Sequence, residues 1–226
     1  GFNGLNDELI ELAKKHDLIL IEDCCEAHGA TYKNQKVGSV GDMSCFSFYF
    51  GHHITTIEGG MVCTNDPETY QLARMFRSHG MTREASEEVQ ARYASDDLNP
   101  LFTFAVPGYN MRSTEINAVL GLEQIKRLDY NIEVRQNNLA TWLKHLDSKM
   151  YYTDFDVTGN SNFALPLLVR AVRVNMADVT QVLESAGVEY RLGTAGGGNQ
   201  ARQPYLKKHP FRIAGPLRLS NLFTNR

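Results

Sequence analysis

Residues Phe46-Ser47-Phe48-Tyr49-Phe50-Gly51-His52-His53-Ile54-Thr55-Thr56-Ile57-Glu58-Gly59-Gly60 decide how the rest of the chain is read. The stretch begins as a short apolar strand, turns at Gly51 and presents two imidazoles where the strand stops. Gly59-Gly60 leads into a second apolar run, Met61-Val62-Cys63. In an open α/β sheet, ligands gather just past the carboxyl ends of strands, so reactive side chains at a strand end mark a candidate site. Taken alone, a His-His pair also suits a polar surface hairpin.

Working outward, Leu18-Ile19-Leu20-Ile21 is a continuous apolar run of the kind a strand buried on both faces requires. It ends in Glu22-Asp23-Cys24-Cys25-Glu26-Ala27-His28-Gly29. An acid at the end of a buried strand is costly unless paired, so Asp23 is expected to meet a cation; capping the next turn is the alternative. Before this run, Asn6 or Asp7 caps a helix carrying Leu9, Ile10, Leu12 and Ala13. Asn65-Asp66-Pro67 opens another helix, with Asp66 as cap and Pro67 at its first position. That helix is expected to stop at Gly80, with Arg77 and His79 in its last turn, where cations suit the helix dipole.

Residues 82–100 are polar without clear periodicity, and residues 102–109 are aromatic and apolar. From Ser113, the expected cap, apolar positions recur at helical spacing through Leu146. A helix of some thirty residues would be about 45 Å long at ~1.5 Å per residue. Beyond it the pattern predicts a strand over 163–169, a helix capped by Asn175 and ended by Gly187, and a strand over 188–192. The glycine-rich residues 193–198 do not open a helix, so they make a poor phosphate cradle. Two domains are expected: 1–148, the C-terminal part of a large domain ending in the long helix, and 149–226, an incomplete small domain.

Composition narrows the function classes. The 226 residues are 42% hydrophobic and 22% charged, with a formal net charge of −3 and interspersed signs. Nothing in that pattern fits a nucleic-acid surface, and no apolar run approaches the ~20 residues that span a bilayer. The four cysteines, Cys24, Cys25, Cys45 and Cys63, show no CxxC or His-spaced zinc pattern and no disulfide framework. A reducing, cytoplasmic setting is expected, and no metal. The chain opens on Gly1 rather than Met and reads as a piece of something longer.

Ile21-Glu22-Asp23, Ala27-His28-Gly29 and residues 38–42, 46–49, 56–60 and 108–112 together resemble the sugar-nucleotide aminotransferase family of fold-type-I pyridoxal-phosphate enzymes. The resemblance covers essentially the whole chain. It implies an α/β fold, part of a large mixed-sheet domain followed by a small α+β domain. It also implies a homodimer with shared active sites, a nucleotide-sugar substrate, pyridoxal phosphate cycling with its pyridoxamine form, and L-glutamate as cosubstrate.

Most members read SFxPxK at the organising stretch, with a Lys that binds the cofactor covalently. Here that position is His52, a departure that characterises the 3-dehydratases of the family. One branch of these adds an iron–sulfur cluster held by cysteines downstream of the His. This chain has no cysteine after Cys63, so no iron–sulfur cluster is expected. The resemblance thus implies C3 dehydration of a GDP-linked 4-keto-6-deoxyhexose, with His52 as base and acid. By the same resemblance Asp23 faces the cofactor's ring nitrogen, Glu26 its 3-hydroxyl and Ser47 its phosphate. Asn110 reaches the phosphate of the neighbouring subunit, and His79 and Arg112 contact glutamate or substrate. His53 is expected to be structural. The alternatives are an aminotransferase of the same family, a CDP-hexulose dehydrase, a silent binding subunit, and a metallohydrolase using His52, His53 and Asp23.

Overall fold

The computed structural model describes residues 2–170, 174–192, 201 and 203–212. The chain divides into two compact units. The first runs through Leu146 and includes Thr153–Leu167; the second takes Asp147–Tyr152 and the chain from Leu168 onward.

The first unit is built on a three-stranded mixed sheet. β1 (Ile21–Asp23) runs parallel to β4 (Met43–Ser47), and β5 (Gly60–Thr64) returns antiparallel on the other side of β4. A hairpin of β2 (Thr31–Tyr32) and β3 (Gln35–Lys36) separates β1 from β4. Lys33 and Asn34 turn it with φ of 48° and 65°, the left-handed pair that a tight hairpin demands.

Helix α1 (Asp7–Lys15) starts where Asn6 accepts the Leu9 N–H at 2.7 Å. Helix α2 (Pro67–Arg77) starts where Asp66 accepts the Thr69 N–H at 2.7 Å. Each cap satisfies an N–H that the first helical turn leaves open. Met75 of α2 packs with Ala85 and with Val89 of α3 (Glu87–Arg92), against Ala105 and Val106, to form the buried apolar cluster.

Strand alternation sorts the side chains of β1. Glu22 and Ser44 are register partners and both are buried. Asp23 and Cys45, the next pair, lie on the opposite and more open face. Glu22 is tolerated inside because its carboxylate accepts the backbone N–H groups of Gly38, Val40 and Gly41 at 2.7, 2.8 and 2.7 Å. The buried acid of this strand end is therefore Glu22, and Asp23 caps the following turn by accepting the Cys25 N–H at 3.1 Å.

Several expectations are corrected. The 18–21 run is not a strand covered on both faces: β1 begins only at Ile21, and Ile19 and Ile21 are 75% and 60% exposed. Among the described residues β1 pairs with β4 alone. The long helix is two, α4 (Glu115–Ile125) and α5 (Leu128–His145). No Pro or Gly marks the break; the two helices are anchored separately. Asn117 of α4 donates to the Thr56 carbonyl at 2.6 Å. In α5, Arg135 donates to the Phe163 carbonyl at 2.8 Å and Trp142 to the Pro166 carbonyl at 2.9 Å. The cap of α4 is Thr114, in a reciprocal capping box with Asn117, rather than Ser113.

The strand expected over 163–169 does not form; two of its carbonyls, those of Phe163 and Pro166, accept from the α5 side chains Arg135 and Trp142. In the second unit, Val169 makes a single bridge with Tyr151. Helix α6 (Met176–Ser185) is capped by Asn175 as expected, and Gly187 follows it with φ of 67°. Residues 188–192 are not a strand, so no β-α-β unit forms among the described residues. Residues 193–198 lie outside them. No described helix is long and apolar enough to cross a membrane.

Candidate active site

The carboxyl ends of β1 and β4 carry the candidate residues. Asp23 closes β1, directly across from Cys45. Hydrogen bonding from Cys25, through its side chain and then its backbone N–H, holds the Asp23 carboxyl below its ordinary value; burial opposes this, and Cys45 and His52 add to it. Burial, then Asp23, pushes the Cys25 thiol up to about 12, so it remains a donor to the carboxylate.

β4 ends at Ser47, whose Oγ accepts the Tyr49 N–H at 3.3 Å and so leaves its own O–H to donate elsewhere. The chain then turns, and the His52 N–H donates to the Tyr49 carbonyl at 3.0 Å. That turn seats the imidazole edge-on to the rings of Tyr49 and Phe163, at 5.4 and 5.6 Å between centroids. His52 Nε2 stands 3.8 Å from Glu26 Oε1, while Nδ1 is buried without a hydrogen-bond partner. Asp23, Glu26 and His52 thus form one group, with Ser47 at the adjoining strand end.

The neighbouring imidazoles are inward. His53 Nε2 lies 3.1 Å from the Ser161 carbonyl. A carbonyl only accepts, so the proton sits on Nε2. His28 is buried among the rings of Phe46, Phe48 and His53. Adjacent histidines therefore part company: His52 belongs to the site and His53 to the interior, which removes the joint metal-ligand arrangement.

Burial first, then the His52 charge, pushes His28 down to about 4; burial pushes His53 to about 4 against the Ser161 hydrogen bond. Their folded values lie below the unfolded value of ~6.5, so the unfolded chain binds more protons between about pH 6.5 and 4. The stability they confer is present above that window and lost as pH falls through it, on the order of 2 kcal/mol each by pH 4.5. Urea unfolding midpoints at pH 7 and 4.5 should show this drop, and His28→Phe should shrink it. An equal drop in parent and variant would contradict the assignment.

A second group sits at the end of α2. The helix stops at Arg77, so His79 is not in its last turn but beyond it, with φ of 60°. Gly80 follows with φ of 80°, and a Cβ there would meet the Val106 carbonyl oxygen at 1.7 Å. That close approach lets residues 104–111 run back along the helix end. The His79 N–H donates to the Tyr109 carbonyl at 2.6 Å, and Asn110 bridges to Ser78. Arg112 Nε donates to Asn110 Oδ1 at 3.3 Å. His79, Asn110 and Arg112 are all exposed. Sequence reasoning missed the thiols on Asp23 and the buried role of His28. Cys45 lies 22 residues from Asp23, and no spacing rule links the two.

The chain matches the DegT/DnrJ/EryC1/StrS aminotransferase family over residues 6–221. The chain belongs to that family. It is 35% identical over 215 residues to GDP-4-keto-6-deoxy-D-mannose 3-dehydratase of Yersinia pseudotuberculosis, covering 92% of this chain and 54% of the relative. Among solved structures, it is similar to the E. coli GDP-4-keto-6-deoxy-D-mannose-3-dehydratase with bound hydrated PLP. The TM-score is 0.76 at 35% identity, over 84% of this chain and 50% of the other. A third similarity is to a GDP-4-keto-6-deoxymannose-3-dehydratase with a trapped PLP-glutamate geminal diamine. There the TM-score is 0.73 at 34% identity, over 82% of this chain and 49% of the other. The fold is the aminotransferase α/β fold that these members of the DegT/DnrJ/EryC1/StrS family share. The chain spans about half the length of the curated relatives it matches.

The donor set fits pyridoxal phosphate. An ionised carboxylate at Asp23 suits a protonated ring nitrogen, and the Ser47 O–H suits a phosphate oxygen. His52 Nδ1 is buried and makes no hydrogen bond among the described residues, while Nε2 faces Glu26.

Proposed function

We propose that the protein carries out the C3 dehydration of GDP-4-keto-6-deoxy-D-mannose to a 4-keto-3,6-dideoxy sugar, using pyridoxal phosphate and glutamate. The observation that carries this reading is His52 Nε2 facing Glu26 at 3.8 Å, at the position where most relatives carry the covalently bound Lys. An imidazole cannot hold an aldehyde cofactor by a stable covalent bond, so polar contacts must hold it.

Pyridoxal phosphate, when bound, supplies an electron sink for charge on the adjacent carbon. Asp23 keeps the proton on the ring nitrogen, and Glu26 hydrogen-bonds the 3-hydroxyl. Ser47 donates to the phosphate, and Asn110 reaches the phosphate bound by the partner subunit of a homodimer. His79 and Arg112 contact glutamate or substrate. His52 would take a proton at Nε2, which stands 3.8 Å from Glu26 Oε1, and deliver it to the C3 hydroxyl, which departs as water. Imidazole suits both transfers because its charge changes near neutral pH.

The test is product analysis with GDP-4-keto-6-deoxy-D-mannose and glutamate. Loss of the C3 oxygen with ammonia released in equal amount is expected. A 4-amino sugar without ammonia would make the protein an aminotransferase, and no turnover would make it a silent subunit. Mixing Asn110→Ala with Asp23→Ala subunits should restore activity in the hybrid; hybrids that stay inactive would end the shared-site arrangement.

A further inference from the structure

The thiols around Asp23 have no part in the reaction above, and their geometry is that of ligands. We propose that Asp23, Cys25 and Cys45 bind a single thiophilic divalent cation of the zinc class, and that this cation and the cofactor compete for the Asp23 carboxylate. The competition rests on the ring-nitrogen role proposed above; the cation site does not.

One ligand atom from each residue lies within 4.8 Å of the other two. Tetrahedral zinc, with Zn–S of about 2.3 Å and Zn–O of about 2.0–2.2 Å, separates its ligands by about 3.5–3.8 Å. Cys45 Sγ is already 3.8 Å from Asp23 Oδ1, so small side-chain rotations close the site. The placement is rigid where it matters. Asp23 and Cys45 are paired positions on hydrogen-bonded parallel strands, and Cys25 is tied to Asp23 by its own backbone N–H at 3.1 Å.

Exposure separates these cysteines from Cys24, which is fully buried. Asp23 is exposed and Cys25 and Cys45 are partly so, which leaves an approach for the ion and a fourth position for water. Two sulfurs and one oxygen select zinc-class ions over magnesium or calcium. On binding, two S–H bonds break, two metal–sulfur bonds and one metal–oxygen bond form, and two protons pass to solvent.

Cobalt(II) is the probe, added to the full protein freed of pyridoxal phosphate and kept reduced by a non-thiol reductant. One equivalent should give thiolate-to-cobalt charge-transfer absorption that zinc abolishes. Cys25→Ser and Cys45→Ser should each weaken binding at least about tenfold, within the range for altered zinc coordination, and Cys63→Ser should not. X-ray absorption on the parent should count two sulfur ligands, a reading independent of whether the variants fold. No charge transfer in the parent, or fewer than two sulfurs, overturns the site. Added pyridoxal phosphate should bleach the cobalt spectrum. A thiolate-dependent spectrum that survives saturating cofactor ends the competition and the ring-nitrogen assignment of Asp23, while the cation site stands.

Discussion

If the proposed role of His52 holds, His52→Lys should give a chain that binds pyridoxal phosphate covalently, which the parent should not do. The substitution places an amine on the turn after β4, beside Glu26 and the Asp23 carboxylate. Borohydride should then fix pyridoxal phosphate to the chain, and mass spectrometry should locate it at position 52. Dehydration should fall by about 10²–10⁴-fold, the range that a lost acid–base group typically costs. A Lys ammonium matches neither proton transfer near neutral pH. The rings of Tyr49 and Phe163 that seat the imidazole also leave the longer side chain less closely held. Borohydride trapping of the unmodified protein at another lysine would contradict the role given to His52, because the covalent attachment point would then lie elsewhere.

Asp23→Asn should slow conversion of the cofactor by glutamate at least about a hundredfold, the scale of losing one well-placed electrostatic contact. The amide keeps the volume and can still accept the Cys25 N–H, so the turn after β1 should survive and the far-ultraviolet spectrum should not change. What disappears is the anion that Cys25 hydrogen bonding holds ionised and that, in the proposed function, keeps a proton on the ring nitrogen. Single-turnover absorbance with glutamate reads this step directly. Formation of the pyridoxamine form at the parent rate in Asp23→Asn would remove this carboxylate from the cofactor site.

Much of the local structure was legible from single residues. Asn6, Asp66 and Asn175 cap helices because each carries a short side-chain acceptor that reaches an open N–H. The apolar runs either side of Gly59-Gly60 pair as β4 and β5. The organising stretch does end a strand and turn, and its two imidazoles do separate. His52 was legible as a departure from the family pattern, which gave the reading of dehydration over amino transfer.

Other features had no local signal. Lys126 and Arg127 are ordinary helix formers, yet α4 and α5 part there, because Asn117 and the Arg135–Trp142 face are tied to different backbone carbonyls. The pattern over 163–169 suits a strand, but none forms there, and α5 side chains bond the Phe163 and Pro166 carbonyls. Composition placed an acid at the end of β1; only the pleat put Glu22 inside, against three N–H groups, and turned Asp23 outward. The sequence by itself determined that Asn6, Asp66 and Asn175 start helices, that a strand ends in a turn before His52, and to which family the chain belongs, because those depend on short-range chemistry and on motif order. The tertiary structure alone decided that Cys45 meets Asp23 and that His52 meets Glu26. Strand register and the turn after β4 bring together groups that lie far apart along the chain, and contact across such distances is set by the paired backbone rather than by spacing in sequence.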